Sequence, residues 1–295
     1  MNFMNKLFLP LLIMGFLGTL GCIYSSDSNP EASEAGIISS ETENQPLASE
    51  LKTIDIETAD GAVQVQTATV NIASENQTYQ AYTAAPAAEG NYPAVVLIHS
   101  FNGFQPGYQK MVDRMAADGY VVVAPFWQTY SRSPSDAEVE ALIRNSTAYL
   151  EERDDVNSEK MGLTGFCAGG RYTMLFLPHI MNFKSGVAWY GFPYTGGSET
   201  QPEQPASLID QLDVPILIIH GTRDQASNVS DIYRYAGELD AADKYFELKV
   251  YQGEPHGFMI TEEGELSESF VAQDAYKEMI GFFDRTLNNS SQRVS

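Results

Sequence analysis

The stretch "GLTGFCAGGRY" (Gly162–Tyr172) sets four glycines around a single cysteine, Cys167. It leaves an apolar strand pattern, "KMGLTG", and enters a helical one, "AGGRYTMLFL", so Cys167 falls at the turn between them. The frame Gly165-Phe166-Cys167-Ala168-Gly169 is G-x-C-x-G, the nucleophile-elbow pattern with sulfur in place of the serine oxygen. Two readings are open on this frame alone. One is a strained turn presenting a nucleophile at a helix N-terminus, where the dipole favours thiolate. The other is a glycine-rich strand–helix turn that buries a small structural side chain.

Working outward, the same strand–helix unit recurs. "PAVVLIH", "YVVVAP", "SGVAWYG" and "VPILIIHG" are continuous apolar runs, as expected of strands buried on both faces, and "YFELKVYQG" closes the series. Between and after them lie helical patterns: "GYQKMVDRMAADG", stopped by Gly119, "SDAEVEALIRNSTAYLEERD", with Ser135 or Asp136 as N-cap, about 227–241, and "ESFVAQDAYKEMIGFFDRTL". Ahead of them, residues 51–86 alternate apolar and polar, which predicts antiparallel strands turning at Asp60-Gly61 and around Ser74-Glu75-Asn76. The fold class is therefore α/β: a mostly parallel, doubly wound sheet with N-terminal antiparallel strands, no internal repeat and no large cap domain. In such sheets ligands bind beyond the carboxyl ends of the strands.

Two further chemical residues fall at such ends. Asp224 follows "VPILIIHG" in "HGTRDQ", and His256 follows the last strand in "GEPHGF". The order nucleophile, acid, histidine is that of the α/β-hydrolases. In such a triad the histidine takes the thiol proton and the carboxylate fixes its tautomer. Two backbone donors would complete the site, the Ala168 N–H and, from the loop "SFNGFQPG", the Phe101 N–H. His99 and His220 end buried strands and are expected to bond nearby backbone, and His179 is a capping or surface residue. No pair of histidines has metal-ligand spacing. Arg171, inside the helix after the elbow, is expected to be a packing or ion-pair residue, and Arg132 to lie at the surface. Half of the aromatics crowding the strand ends, among them Phe101, Phe192, Tyr190 and Phe258, are expected to line an apolar pocket.

The ordered set "IHSFNGF", "RMAADGYVVVAP", "GFCAGGR", "WYG", "HGTRD" and "PHGF" resembles the dienelactone hydrolase family of α/β-hydrolases over roughly Ile54 to Leu287. The resemblance implies that Cys167, Asp224 and His256 form the triad, with Phe101 and Ala168 as the oxyanion hole. It also implies activity on esters or lactones without a cofactor. Two departures stand out. Family members commonly carry Glu where this chain has Ser100, so activation must come from His256 or another group. The arginines that hold a substrate carboxylate in the founding enzymes have no clear counterpart after His256, which favours a neutral ester or lactone. The alternative is a non-catalytic hydrolase-fold protein that binds an apolar ligand or a partner. A redox thiol protein is disfavoured, because Cys22 is the only other cysteine and sits in a leader-like segment.

That leader has one cation, Lys6, then an apolar run from Leu7 to Leu20 ending in Gly21-Cys22. The run is too short to span a bilayer comfortably but suits an export signal. A signal ending in Leu-Gly-Cys resembles the lipobox of prokaryotic lipoproteins, in which the cysteine is lipidated, although Thr19 stands where an aliphatic residue is usual. Residues 1–22 are thus expected to be a signal peptide with Cys22 as a lipid-anchoring position. An ordinary signal peptide is the other reading. Residues 23–50 are expected to be a flexible tether, 51–287 the hydrolase domain and 288–295 a tail. The protein would be exported to the outer face of a membrane. Its net charge of −22, from 39 acidic and 17 basic residues, argues against nucleic acid as a partner.

Overall fold

A run such as β4 (Tyr92–Ile98) can only be a central strand, since both its faces must find apolar cover. In the computed structural model, which describes residues 50–59 and 61–288, every residue of β4 after Tyr92 is buried. Its alternate side chains serve two cores. Ala94, Val96 and Ile98 pack on one face with α2 (Asp136–Glu151), α3 (Ala168–Phe176) and α4 (Val229–Ala241). Val95 and Leu97 pack on the other with α1 (Pro106–Ala117) and α5 (Phe270–Phe283). This is the two-faced cover that a parallel sheet needs.

The remaining strands are β1 (Lys52–Thr58), β2 (Gly61–Ser74), β3 (Gln77–Pro86), β5 (Val121–Pro125), β6 (Val156–Phe166), β7 (Phe183–Trp189), β8 (Ile216–Gly221) and β9 (Phe246–Tyr251). They form one sheet of nine strands in the order β1-β2-β3-β5-β4-β6-β7-β8-β9. The pairs β1–β2, β2–β3 and β3–β5 are antiparallel, and all pairs from β5 to β9 are parallel. This is an α/β-hydrolase sheet, with β1 and β2 paired as an antiparallel hairpin and the expected turn at Glu75-Asn76 between β2 and β3.

Helix ends follow their sequence signals. Ser135 caps α2 in a reciprocal box: its Oγ accepts the Glu138 N–H while Glu138 accepts the Ser135 N–H. Such a cap contributes about 1 kcal/mol. Pro106 opens α1, where its missing N–H costs nothing.

Two boundaries differ from the sequence expectation. β6 begins at Val156 rather than Lys160: Val156 pairs with Tyr92, and a register shift separates that pair from the regular ladder starting at Met161, so the polar residues between carry no apolar signature. The connection from β7 to β8, where the sequence carries no helical pattern, is a loop with one 3₁₀ turn (Pro205–Gln211). The last helix runs on through a π-helical turn to Asn288, one residue past the expected domain end. The proposed signal peptide, Cys22, nearly all of the tether and all of the tail but Asn288 lie outside the described residues. Among the described residues no helix is long and apolar enough to cross a membrane.

Candidate active site

The elbow is built by close approach. A Cβ on Gly165 would meet the Gly169 carbonyl, and one on Gly169 would meet the carbonyl oxygen of Ile98, both far inside van der Waals contact. These are the glycines two positions either side of Cys167, and only their missing side chains let α3 start against the ends of β6 and β4. Cys167 pays for the sharp turn with φ 58° and ψ −111°, a backbone state that L-residues rarely hold. Its N–H donates to the Trp189 carbonyl at 3.0 Å, and its own carbonyl accepts the Arg171 N–H at 3.0 Å. The half-buried thiol is thereby fixed at the N-terminus of α3.

Asp224 and His256 arrive from the loops after β8 and β9. The buried Asp224 carboxylate accepts the Ala226 and Ser227 N–H groups on Oδ1, at 2.9 and 2.8 Å, and His256 Nδ1–H on Oδ2 at 2.7 Å. Burial pushes this carboxyl up, but the hydrogen bonds from His256 and Ser227 outweigh it, and its pKa is lowered overall. With Nδ1 committed, His256 turns Nε2 inward. That atom is buried, has no hydrogen-bond partner in good geometry among the described residues, and is coupled to Cys167. Burial pulls the imidazole down, yet Asp224 and Cys167 together raise it to about 9.

The loop after β4 is fixed from behind. The Ser100 carbonyl accepts His99 Nδ1–H at 2.8 Å and the Gly103 N–H at 3.1 Å. Because a trans peptide points its N–H opposite its carbonyl, these bonds aim the Phe101 N–H the other way. Burial lowers His99 to about 4, so it stays a neutral donor, stacked 5.3 Å from the Trp127 ring. Gln128 Nε2 holds the Phe101 carbonyl at 3.0 Å. Among the described residues, neither the Phe101 nor the Ala168 N–H donates to another backbone carbonyl outside regular elements.

The other expectations resolve as follows. His220 is buried and bonds the Ser227 carbonyl at 2.9 Å, 3.5 Å from Asp224 Oδ2. Its pKa is lowered, first by burial, so it supports the acid from behind as a neutral ring. His179 is part-exposed, 3.3 Å from Glu140. Arg171 forms a buried two-pronged ion pair with Asp136 at 2.7 and 2.9 Å and also holds the Thr195 and Glu203 carbonyls. Arg132 is exposed, its guanidinium 4.7 Å over the Phe101 ring. Of the strand-end aromatics, Trp127, Trp189 and Tyr190 are core, whereas Phe101 and Phe192 are half-buried, Phe192 lying 5.5 Å from the His256 ring. Two site residues escaped the sequence reading: Tyr108, which reads as part of the apolar face of α1, and the role of His99. Among the described residues no cluster of His, Cys, Asp and Glu could hold a metal.

Cys167, Asp224 and His256 thus stand at the carboxyl ends of β6, β8 and β9, with the Asp224–His256 hydrogen bond formed and His256 interacting with Cys167. The family profile described as "Dienelactone hydrolase family" matches residues 79–287. The chain belongs to the dienelactone hydrolase family. Relatives include a "Putative carboxymethylenebutenolidase" of Methylorubrum extorquens, 28% identical over 69% of this chain and 75% of its own length. A protein of the same name from Escherichia coli K12 is also 28% identical, over 69% of this chain and 81% of its own. Among solved structures, a "Putative Dienelactone Hydrolase" from Klebsiella pneumoniae superposes with a TM-score of 0.70 at 25% identity, covering 75% of this chain and 99% of its own. This member of the dienelactone hydrolase family is thus a hydrolase on an α/β-hydrolase fold, and its family match spans every residue of the constellation described above.

Proposed function

We propose that the protein hydrolyses neutral carboxylic esters or lactones through an acyl-enzyme on Cys167. The observation that carries this reading is the relay Asp224–His256–Cys167: the carboxylate fixes Nδ1–H, and the buried, unpartnered Nε2 is left to exchange a proton with the sulfur. Cys167 gives its proton to His256 Nε2, and the thiolate attacks the ester carbonyl. The oxyanion rests on the Phe101 and Ala168 N–H groups. As the tetrahedral adduct collapses, the imidazolium protonates the leaving alkoxide and a thioester remains. Neutral His256 then takes a proton from water, whose oxygen attacks the thioester. The second adduct expels the thiolate, releasing the acid.

The names of the relatives support a lactone or ester substrate class. The exposed Arg132 is the one cation stacked on the oxyanion loop among the described contacts, which favours neutral substrates over dianionic ones. A panel of aryl esters and small lactones tests the reading: Cys167→Ala should fold and lose hydrolysis by at least about a thousandfold. Wild-type rates in that variant would remove the mechanism.

The site is carried, in this reading, on an exported chain tethered at Cys22 to the outer face of a membrane. The leader "MNFMNKLFLPLLIMGFLGTLGC" and the polar stretch after it support this. Cys22→Ala should move the chain from the membrane to the soluble fraction, and unchanged fractionation would refute tethering.

A further inference from the structure

Most rings at the strand ends have no face left for a substrate. Trp127, Trp189 and Tyr190 are buried, and Tyr108, 1% exposed, hydrogen-bonds Ser100 behind the oxyanion loop. Phe101 is half-buried, and the Arg132 guanidinium lies 4.7 Å over its ring. Phe192 differs from all of these. It is half-buried, and its ring contact among the described residues is the His256 imidazole, at 5.5 Å.

Its position is set from both sides. Tyr190 leaves β7 with φ +36°, a costly state for a bulky L-residue, and its ring backs the imidazole at 5.0 Å. The Tyr190 hydroxyl closes no hydrogen bond in good geometry among the described residues, so the ring supports His256 by contact alone. Gly191 then lies against the first turn of α3: a Cβ on it would meet the Gly170 carbonyl carbon at 2.7 Å and the Arg171 nitrogen at 3.0 Å. The Gly191 carbonyl accepts the Ser227 hydroxyl at 2.6 Å, and the Ser227 N–H donates to Asp224 Oδ1 at 2.8 Å. Phe192 is thereby fixed between the helix that presents Cys167 and the acid that orients His256. Beyond it the chain is pinned again. Arg171, locked on Asp136, holds the Thr195 and Glu203 carbonyls at 2.9 Å each, and the Asp136 N–H donates to the Thr200 carbonyl at 2.8 Å. A loop without regular structure is ordinarily mobile, and this buried ion pair makes residues 190–204 a fixed wall.

Acyl transfer dictates which part of a substrate meets that wall. His256 Nε2 has to come within about 2.6–3.2 Å of the leaving oxygen to protonate it. The alcohol skeleton starts at that oxygen, whereas the acyl substituent hangs from the carbonyl carbon, one bond further away. A side chain against the imidazole therefore meets the alcohol side first. A phenyl ring offers neither charge nor a strong hydrogen bond, so it discriminates by apolar area and shape. We infer, on the reading of Cys167 and His256 as the acyl-transfer pair, that Phe192 is a specificity-determining residue for the alcohol part of the substrate. It selects esters and lactones whose alcohol side carries a flat apolar group, such as a benzyl or aryl ring.

Two ester series test this on the full-length protein, in the wild type, Phe192→Ala and Phe192→Leu. One keeps the acetyl group and changes the alcohol from ethyl to benzyl, so that leaving-group basicity varies little. The other keeps the ethyl group and changes the acyl part from acetyl to butyryl. Wild-type kcat/KM should favour benzyl over ethyl acetate by about tenfold. Phe192→Ala should remove that preference, mainly through KM, while the butyryl-to-acetyl ratio stays as in the wild type. Phe192→Leu, which keeps apolar bulk without the flat face, should fall between, and it decides the matter alone if the alanine variant folds poorly. A wild type without the benzyl preference, or a benzyl-to-ethyl ratio unmoved in the folded variants, overturns the inference. So does an acyl ratio that falls by the same factor, which marks a merely structural loss. If the folded wild type hydrolyses neither series, the acyl-transfer reading itself fails, and the inference with it.

Discussion

Replacing Gly169 by alanine probes how the elbow is positioned. The added methyl would lie 2.8 Å from the Ile98 carbonyl carbon, 3.0 Å from the His99 oxygen and closer still to the Ile98 oxygen. All three are backbone atoms of the β4 end, so no side chain can swing aside. Relief requires α3 to retreat from β4 by on the order of 1 Å, and a misplacement of that size costs about a hundredfold in rate. Overpacking of this kind costs about 1–3 kcal/mol, or roughly 2–10 °C in midpoint for a domain of this size. Gly237 supplies the control. It lies in α4 with nothing within 4 Å of an added Cβ, and alanine there should stabilise the helix by about 0.5–1 kcal/mol. The assay is kcat/KM on an activated aryl ester together with thermal unfolding of both variants. If Gly169→Ala keeps wild-type kcat/KM and midpoint, the close approach of α3 to β4 does not position the site, and the reasoning fails.

Other perturbations have equally definite outcomes. His256, held at about 9, should give kcat/KM a descending limb near that pH, as the imidazolium loses the proton it delivers to the leaving group. Asp224→Asn should move this limb toward the ordinary 6.5, read from the pH profile of the aryl ester. The same pair links stability to pH. The raised His256 contributes stability that is complete below 6.5 and fades as pH rises through 9, while the depressed Asp224 contributes stability present above 3.8 that is lost as pH falls through its folded value. Denaturant unfolding between pH 5 and 10 should show the decline at the alkaline end, and Asp224→Asn should flatten it. Asp136→Ala leaves the Arg171 guanidinium buried and unpaired, and should cost about 3–5 kcal/mol in urea unfolding. Because Arg171 also holds the loop that carries Phe192 toward His256, KM should rise in that variant.

The chemistry-bearing turns were legible because each combines a buried strand with a residue that has no business at its end. Cys167, Asp224 and His256 all follow apolar runs, and Gly165 and Gly169 announce the close backbone approach around the thiol. Parallel strands read clearly for the same reason, being apolar on both faces. The first residues of β6 did not, because the polar stretch between Val156 and Met161 sits at a register shift outside the regular ladder and asks for no apolar side chain. The β7–β8 connection carries no helical period, and its 3₁₀ turn is too short to show one. Tyr108 was invisible as a site residue: its ring obeys the apolar pattern of α1, and only the fold brings its hydroxyl to Ser100. Tyr190 could be seen as a strand-end aromatic, but its strained backbone and orphaned hydroxyl are properties of three dimensions. His99 was expected to bond backbone, and it does. What sequence does not carry is the consequence, namely that its bond to the Ser100 carbonyl orients the Phe101 N–H.

The central claim is that Cys167 carries the acyl group during turnover, and peptide mass analysis after rapid acid quench of the enzyme with a slowly deacylating activated ester tests it directly. The account predicts an acyl adduct on the peptide containing Cys167, appearing at the rate of the initial product burst and absent from Cys167→Ala. Hydrolysis at the wild-type rate with that peptide unmodified throughout the burst would contradict it.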